Sequence, residues 1–308
     1  MKIDLLVTGA AGLVGHAVRR LNPSGAEYIT RKEADLTDFG STRTIFNLTK
    51  PEKVIHLAAV VGGLGGNMVH SGGYFRNNIL INLNVLEAAR LAGVKKLVSF
   101  MSTCIFPDNC EYPLNEASLH QGPPHPSNFG YAYAKRMLEV QSAAYRNEWR
   151  CNFIVAIPTN IYGPNDNFSL TEGHVIPSLI HRCHLAMRNG EDLVLWGSGK
   201  PLREFVHSSD IARLALKLLD VYDEDEPIIL STGQEVSIRD LALLIADKMG
   251  FKGNIVFDTS KPDGQMRKPS DTSKLQRLLP DFEFTPIEEG LEQTIEWFLA
   301  HYPKVRGA

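Results

Sequence analysis

The stretch Leu5-Leu6-Val7-Thr8-Gly9-Ala10-Ala11-Gly12-Leu13-Val14-Gly15 decides the fold. Its apolar start runs straight into glycines spaced G-x-x-G-x-x-G, and Leu13–Leu21 then reads as a helix. A buried strand that turns sharply into a helix opens a βαβ unit. Glycine at such a turn allows the tight bend. It also lets a pyrophosphate approach backbone N–H groups at the positive end of the helix. Strand, turn and helix in this order point to dinucleotide binding through Gly9, Gly12, Leu13, Val14 and Gly15. The alternative is a plain structural turn.

Beyond that opening, short β-like runs alternate with helical patterns through the first two-thirds of the chain. Residues 28–30, 54–58, 96–101 and 153–157 read as strands. Residues 77–92 place Ile81, Val85, Leu86 and Ala89 on one helical face. The alternation predicts a Rossmann-type doubly wound parallel sheet with helices on both faces. Gly62-Gly63-Leu64-Gly65-Gly66 and Gly72-Gly73 should flank a flexible loop. Residues 106–128 carry Pro107, Pro113, Pro123, Pro124 and Pro126 and read as a long, stiff loop of the kind used for lids and binding segments. After Pro164 the character changes. Residues 165–201 look like an inserted lobe with a helix near 175–187, and further helices are expected over 236–250 and Ile287–His301. Residues 1–164 are therefore expected to form the dinucleotide-binding domain, which also takes back part of about 203–235. Residues 165–308 should form mainly a smaller C-terminal α/β substrate lobe.

The bulk composition narrows the function classes. The chain has 308 residues, 44% hydrophobic and 22% charged, which suits one large α/β domain with a smaller lobe. A net charge of −3 offers no basic face for nucleic acid or an anionic membrane. No apolar run approaches the ~20 residues that cross a bilayer. The N-terminal segment reads as a first strand rather than a signal peptide. Cys104, Cys110, Cys151 and Cys183 are scattered without zinc-site spacing, so no metal is expected, and a reduced cytoplasmic setting is.

The end of the second strand discriminates between cofactors. Enzymes that use NAD tend to place Asp or Glu there to bind the ribose 2′-hydroxyl. This chain has Thr30-Arg31-Lys32, a cationic pair that suits the 2′-phosphate of NADP(H). The alternative leaves these as solvated charges, with Glu33 or Asp35 serving the ribose. Asp35 and Leu36 are placed to meet the adenine, and Ala58 and Ala59 to line the floor.

Chemistry is suggested by Ser102 and by Tyr131-Ala132-Tyr133-Ala134-Lys135. Tyr131 and Lys135 stand at i and i+4, so a helix presents both on one side. A free phenol has a pKa near ~10, and an adjacent ammonium is expected to lower it. Lys135 can also hydrogen-bond the nicotinamide ribose, and Ser102 can hold a substrate carbonyl oxygen. Cys104, two residues beyond Ser102, is expected on the same side of the strand. It would be either an extra basic group beside the site or a small buried hydrophobe.

The combination resembles the extended short-chain dehydrogenase/reductase family, which acts on nucleotide sugars. The likeness extends to His56-Leu57-Ala58-Ala59, Pro158-Thr159-Asn160-Ile161-Tyr162-Gly163-Pro164, Trp196-Gly197-Ser198-Gly199 and 203–210, and so to nearly the whole chain. Ser102-Thr103-Cys104-Ile105-Phe106-Pro107, Gly122-Pro123-Pro124-His125 and Gly173-His174-Val175-Ile176-Pro177 resemble a narrower branch. That branch epimerises carbons 3 and 5 of GDP-4-keto-6-deoxy-D-mannose, then reduces the 4-ketone with NADPH to form GDP-L-fucose. The resemblance implies Cys104 as base and His174 as acid. It adds Pro158, Asn160 and His174 to the cofactor contacts. It also implies Asn160, Arg182, Trp196, Arg203 and Lys268 as contacts to the GDP-sugar, and a cytoplasmic homodimer. The alternatives are another nucleotide-sugar epimerase, dehydratase or reductase of the family, or a non-catalytic NADP-binding protein. Thr103-Cys104 stands where sugar dehydratases carry acidic residues.

Overall fold

The computed structural model of the chain describes residues 2–62, 69–261 and 263–308. Most of the expected glycine loop, residues 63–66, lies outside the described residues. The wholly buried strand β1 (Leu5–Thr8) pairs in parallel with β2 (Ala26–Ile29) on one side and β3 (Lys53–His56) on the other. Between β1 and β2 lies α1 (Leu13–Leu21), which buries Val14, Gly15, Ala17 and Val18. Asp38 opens α2 (Phe39–Thr49) by accepting the Ser41 N–H, an ordinary N-cap. The chain continues through α3 (Ser71–Leu91), β4 (Lys96–Phe100), α4 (Phe129–Trp149) and β5 (Phe153–Pro158).

Further along, β6 (Asn160–Tyr162), α5 (Val175–Asn189), β7 (Leu193–Trp196) and β8 (Leu202–His207) lead to α6 (Ser208–Val221) and β9 (Ile228–Leu230). The last elements are β10 (Glu235–Ser237), α7 (Ile238–Met249), β11 (Ile255–Asp258), α8 (Ser273–Leu278) and α9 (Ile287–His301).

The main sheet is six-stranded and parallel, in the order β2-β1-β3-β4-β5-β9. Its strands alternate sides as the pleat requires. Leu6, Val54, Leu97 and Val155 join a core with Phe46 of α2, Val85 of α3 and Leu138 of α4. Val7, Ile55, Val98 and Ile154 join another core with Val18 of α1, Leu214 of α6 and Leu275 of α8. The strand order reverses between β1 and β3, and the crevice at their C-terminal ends is where open α/β sheets bind ligands.

A third core, with Phe168, Ile180, Leu195, Leu241 and Phe298, joins α5, α7 and α9 to two small sheets, β10-β8-β6 and β11-β7. The chain thus leaves the main sheet after β5, builds part of this lobe, and returns with α6 and β9.

The helix expected over 77–92 begins earlier, at Ser71, and contains Gly72 and Gly73. Those glycines do not break it because its first turn is fixed by packing. A Cβ added at Gly130 of α4 would lie 2.4 Å from the Ser71 carbonyl oxygen, so the two helix starts cross closely. The proline-rich stretch 106–128 is a folded strap rather than a bare loop. Arg136 of α4 donates to the Ile105 and Gly122 carbonyls at 2.6 and 2.7 Å, and the Asp108 N–H donates to Pro123 at 3.0 Å.

Candidate active site

The C-terminal ends of β1, β3 and β4 open into one cavity of about 840 Å³. At its floor Gly9 has φ +69°, and a Cβ there would lie 2.5 Å from the Ala58 nitrogen. Both facts require glycine. The Thr8 hydroxyl pairs with the His56 ring at 2.8 Å, tying β1 to β3 beneath the turn. Burial and the nearby Lys135 charge push His56 down to about 3, so it is neutral.

Every residue expected to hold the cofactor lines this cavity: Gly9, Gly12, Leu13, Val14, Gly15, Arg31, Asp35, Leu36, Ala58, Ala59, Lys135, Pro158, Asn160 and His174. Glu33, the alternative ribose ligand, does not. Its carboxylate accepts the Thr30 N–H and hydroxyl at 2.7 and 2.6 Å, which holds it below the usual carboxylate range. Asp35 accepts the Thr37 N–H and hydroxyl at 2.9 and 2.7 Å. Both acids serve their own loop, and Arg31 is the cation lining that end. The glycine turn, the helix N-terminus and Arg31 fit a dinucleotide carrying a 2′-phosphate.

At the other end stand Ser102, Cys104, Tyr131, Lys135, Asn160, His174 and Arg203. The α4 helix carries Tyr131 and Lys135 one turn apart, both buried. Lys135 donates to the Phe100 carbonyl at 2.9 Å, and burial pushes it down to about 8. The lowered phenol pKa expected from this lysine is not found. Burial, reinforced by Cys104, pushes Tyr131 well above an ordinary tyrosine. Desolvation of the phenolate is the main cause, and the Lys135 ammonium is engaged by the Phe100 carbonyl. Tyr131 is therefore a protonated donor.

Strand alternation does not place Cys104. The strand ends at Phe100, and residues Thr103–Ile105 form a 3-10 turn after Ser102. That turn still brings the pair together, since both residues line the cavity. Burial raises the thiol, while Lys268, Ser102 and Lys135 oppose the rise. His174 is the N-cap of α5 and is held below an ordinary histidine by burial and by Arg306. Asn160 donates to the Glu204 carbonyl at 2.7 Å, and Arg203 to its neighbour Leu202 at 2.7 Å.

Arg182, Trp196 and Lys268 are not among the residues lining this cavity. Arg182 lies 5.9 Å over the Trp196 ring, which is 66% exposed, and Lys261 approaches the same ring at 5.8 Å. Lys268 acts electrostatically on Cys104 and Cys110. Sequence reasoning missed Asp166 and Arg306, both in the lining. One Asp166 oxygen is buried without a partner, and burial pushes the carboxyl up to about 7. The Phe168 N–H donates to the Arg306 carbonyl at 2.8 Å and pins the tail there. Neither residue has a local motif that could have marked it. Among the described residues, no cluster of three or more His, Cys, Asp or Glu could hold a metal ion.

A glycine cradle joined to Ser102 and the buried Tyr131–Lys135 pair can bind a dinucleotide and exchange a proton at a carbonyl oxygen. A profile of the NAD dependent epimerase/dehydratase family matches residues 5–233. The chain belongs to that family. Relatives match it along nearly its full length. A GDP-L-fucose synthase from Dictyostelium discoideum is 48% identical, covering 99% of this chain and 98% of its own. One from Escherichia coli (strain K12) is 36% identical over 99% of both chains. The crystal structure of a GDP-L-fucose synthetase from Naegleria fowleri bound to NADP superposes with a TM-score of 0.94. It is 44% identical and covers 99% of this chain and 95% of that one.

Proposed function

We propose that this protein is a GDP-L-fucose synthase. It converts GDP-4-keto-6-deoxy-D-mannose to GDP-L-fucose by epimerisation at carbons 3 and 5 and NADPH-dependent reduction at carbon 4. One observation carries the reading: the Cys104 thiol shares a cavity with Ser102, Tyr131, Lys135 and His174. Full-length relatives bearing that name support it.

Both inverted carbons lie α to the ketone, so their protons become removable once the enolate oxygen is stabilised. The Ser102 and Tyr131 hydroxyls donate to that oxygen. Cys104, as thiolate, takes the proton from one face, and His174 returns one to the other. Lys135 holds the nicotinamide ribose. When bound, NADPH supplies a hydride to carbon 4. Tyr131 gives its proton to the carbonyl oxygen, which suits a phenol kept neutral by burial. Arg203 pairs with the diphosphate. Arg182 and Trp196 serve the more distant parts of the GDP-sugar, and Lys268 meets it on the Cys104 side.

The protein acts as a cytoplasmic homodimer in this reading. A reducing compartment keeps Cys104 a free thiol. The packed pair α3 and α4 leaves Leu83, Met137 and Val140 exposed, an apolar face that a second copy would cover. Sedimentation reads the mass, and a monomer at micromolar concentration would remove the dimer.

Incubation with GDP-4-keto-6-deoxy-D-mannose and NADPH in deuterium oxide tests the whole reading. GDP-L-fucose labelled at carbons 3 and 5 is expected, with one NADPH consumed per product. Cys104→Ser should block the labelling more than it weakens NADPH binding. A product without inversion, or turnover without net NADPH loss, would refute the assignment.

A further inference from the structure

The wall behind Cys104 is tied together by one buried carboxylate. Glu204, in β8, is 2% exposed, and its two oxygens serve two distant segments. One accepts the Ser270 N–H at 2.9 Å, and the other accepts the Ser231 hydroxyl at 2.9 Å. Ser231 follows the last strand of the main sheet. Ser270 belongs to an irregular strap, residues 266–271, that runs from the lobe back to the proline-rich stretch. The strap is pinned at both ends. The Leu202 N–H donates to Met266 at 2.9 Å. The Leu114 N–H donates to Pro269 at 2.8 Å, and the Asp271 N–H to Leu114 at 2.7 Å.

Lys268 sits between these anchors. It is half-buried, and its charge acts on Cys104 and Cys110, with Arg203 and Asp108 also within its reach. Around Cys104 the other charged or titratable groups are Lys135, Tyr131 and Arg136, all on α4. Glu204 holds none of those three.

We propose that Glu204 is a positioning residue for the epimerisation: it fixes the 266–271 strap, and with it the Lys268 side chain whose charge bears on the Cys104 thiol. The inference rests on Cys104 as the base. A buried carboxylate is costly unless its oxygens are satisfied, so a residue serving only to join two lobes has no need of one. Here both oxygens are satisfied by groups on separate segments, which fixes the strap in two directions. The attraction between Lys268 and a thiolate falls with distance, so a strap loosened by a few ångströms weakens it. Lys268 is the strongest influence opposing the rise in the Cys104 pKa that burial causes.

The test is the pH dependence of Cys104 alkylation by iodoacetamide in the full-length protein, assigned to that residue by peptide fragmentation. It needs no sugar substrate, so it can fail while GDP-L-fucose synthesis stands, and the converse. Glu204→Ala and Lys268→Met should each slow alkylation at pH 7 about threefold or more by lowering the thiolate fraction. NADPH affinity should not change. Glu204→Gln keeps an acceptor for Ser270 and a partner for Ser231, so it should restore the parental profile. Should Glu204→Ala fail to fold, Glu204→Asp is one methylene too short to reach both segments and should show an intermediate shift. A parental profile in Glu204→Ala or Glu204→Asp overturns the proposal, and so does a parental profile in Lys268→Met. A Glu204→Gln profile shifted as far as that of Glu204→Ala would also overturn it, by making the carboxylate charge rather than the strap's position responsible.

Discussion

The two ends of the cavity are built by different means. The dinucleotide end is mostly backbone. A strand, a glycine turn and a helix N-terminus lie together in the first residues of the chain, and Arg31 adds charge. The chemical end is mostly side chain, and its members come from stretches as far apart as Ser102 and Arg306. The first end should tolerate side-chain changes but no added Cβ. The second should hold its shape under conservative changes and lose its chemistry. Glu204 belongs to neither end; it maintains the second from behind.

The sharpest way to separate the ends is Tyr131→Phe. Turnover should fall about 10³-fold for want of the proton donor, with NADPH affinity within about twofold of the parent. Rapid-mixing assays and fluorescence titration read the two quantities. An equal loss of cofactor affinity would mean that the ends are not independent. Gly9→Ala attacks the other end. Its left-handed backbone and the 2.5 Å approach to Ala58 should cost NADPH affinity about 10²-fold, from about 1–3 kcal/mol of strain plus displacement of β3. An unchanged Kd would show that the turn yields.

Acid should act on the fold through two buried histidines. His56 lies beneath the glycine turn and is pushed down to about 3; His207, in the lobe, is pushed down to about 4. Burial is the main cause for each. A histidine whose folded pKa is depressed contributes stability that is full above the unfolded value of about 6.5. That stability is lost as pH falls, because the unfolded chain takes the proton first. Stability read by urea unfolding should therefore fall between pH 7 and pH 4.5 by up to about 1.4 kcal/mol per pH unit for each histidine, while Asp166, raised to about 7, offsets part of it by taking its proton first in the folded state. His207→Gln should remove one histidine's contribution, and a variant whose stability falls as fast as the parent's would contradict it. The smallest effect is expected from Arg31→Ala. It should reduce the preference for NADPH over NADH about five- to tenfold, with NADH affinity unmoved. A preference that stays put would assign the 2′-phosphate to another residue.

Much of the architecture can be read along the chain because its signals are short. The first strand, α1 and α9 stand where their apolar periods put them. Tyr131 and Lys135 share a helix face because four residues make about one turn. Other parts have weak signals. Helix α2 buries only Thr42 and Phe46, and strands β6, β9 and β10 are three residues long, too short for an alternating pattern to emerge. Strand alternation is not what sets Cys104 beside Ser102: a 3-10 turn carries it into the same cavity lining.

Backbone propensity and side-chain period act over about one helical turn, so the amino-acid order alone was enough for the strand–glycine–helix opening, the parallel α/β class and the tyrosine–lysine pair. Contacts between distant segments have no such local mark. Glu204 meets Ser270 across 66 positions, and the tail brings Arg306 to the cavity wall. Burial is equally non-local: it turned the expected acidic phenol of Tyr131 into a firmly protonated one and left an oxygen of Asp166 without a partner. These features exist only once the main sheet and the lobe have closed on one another and excluded water from between them.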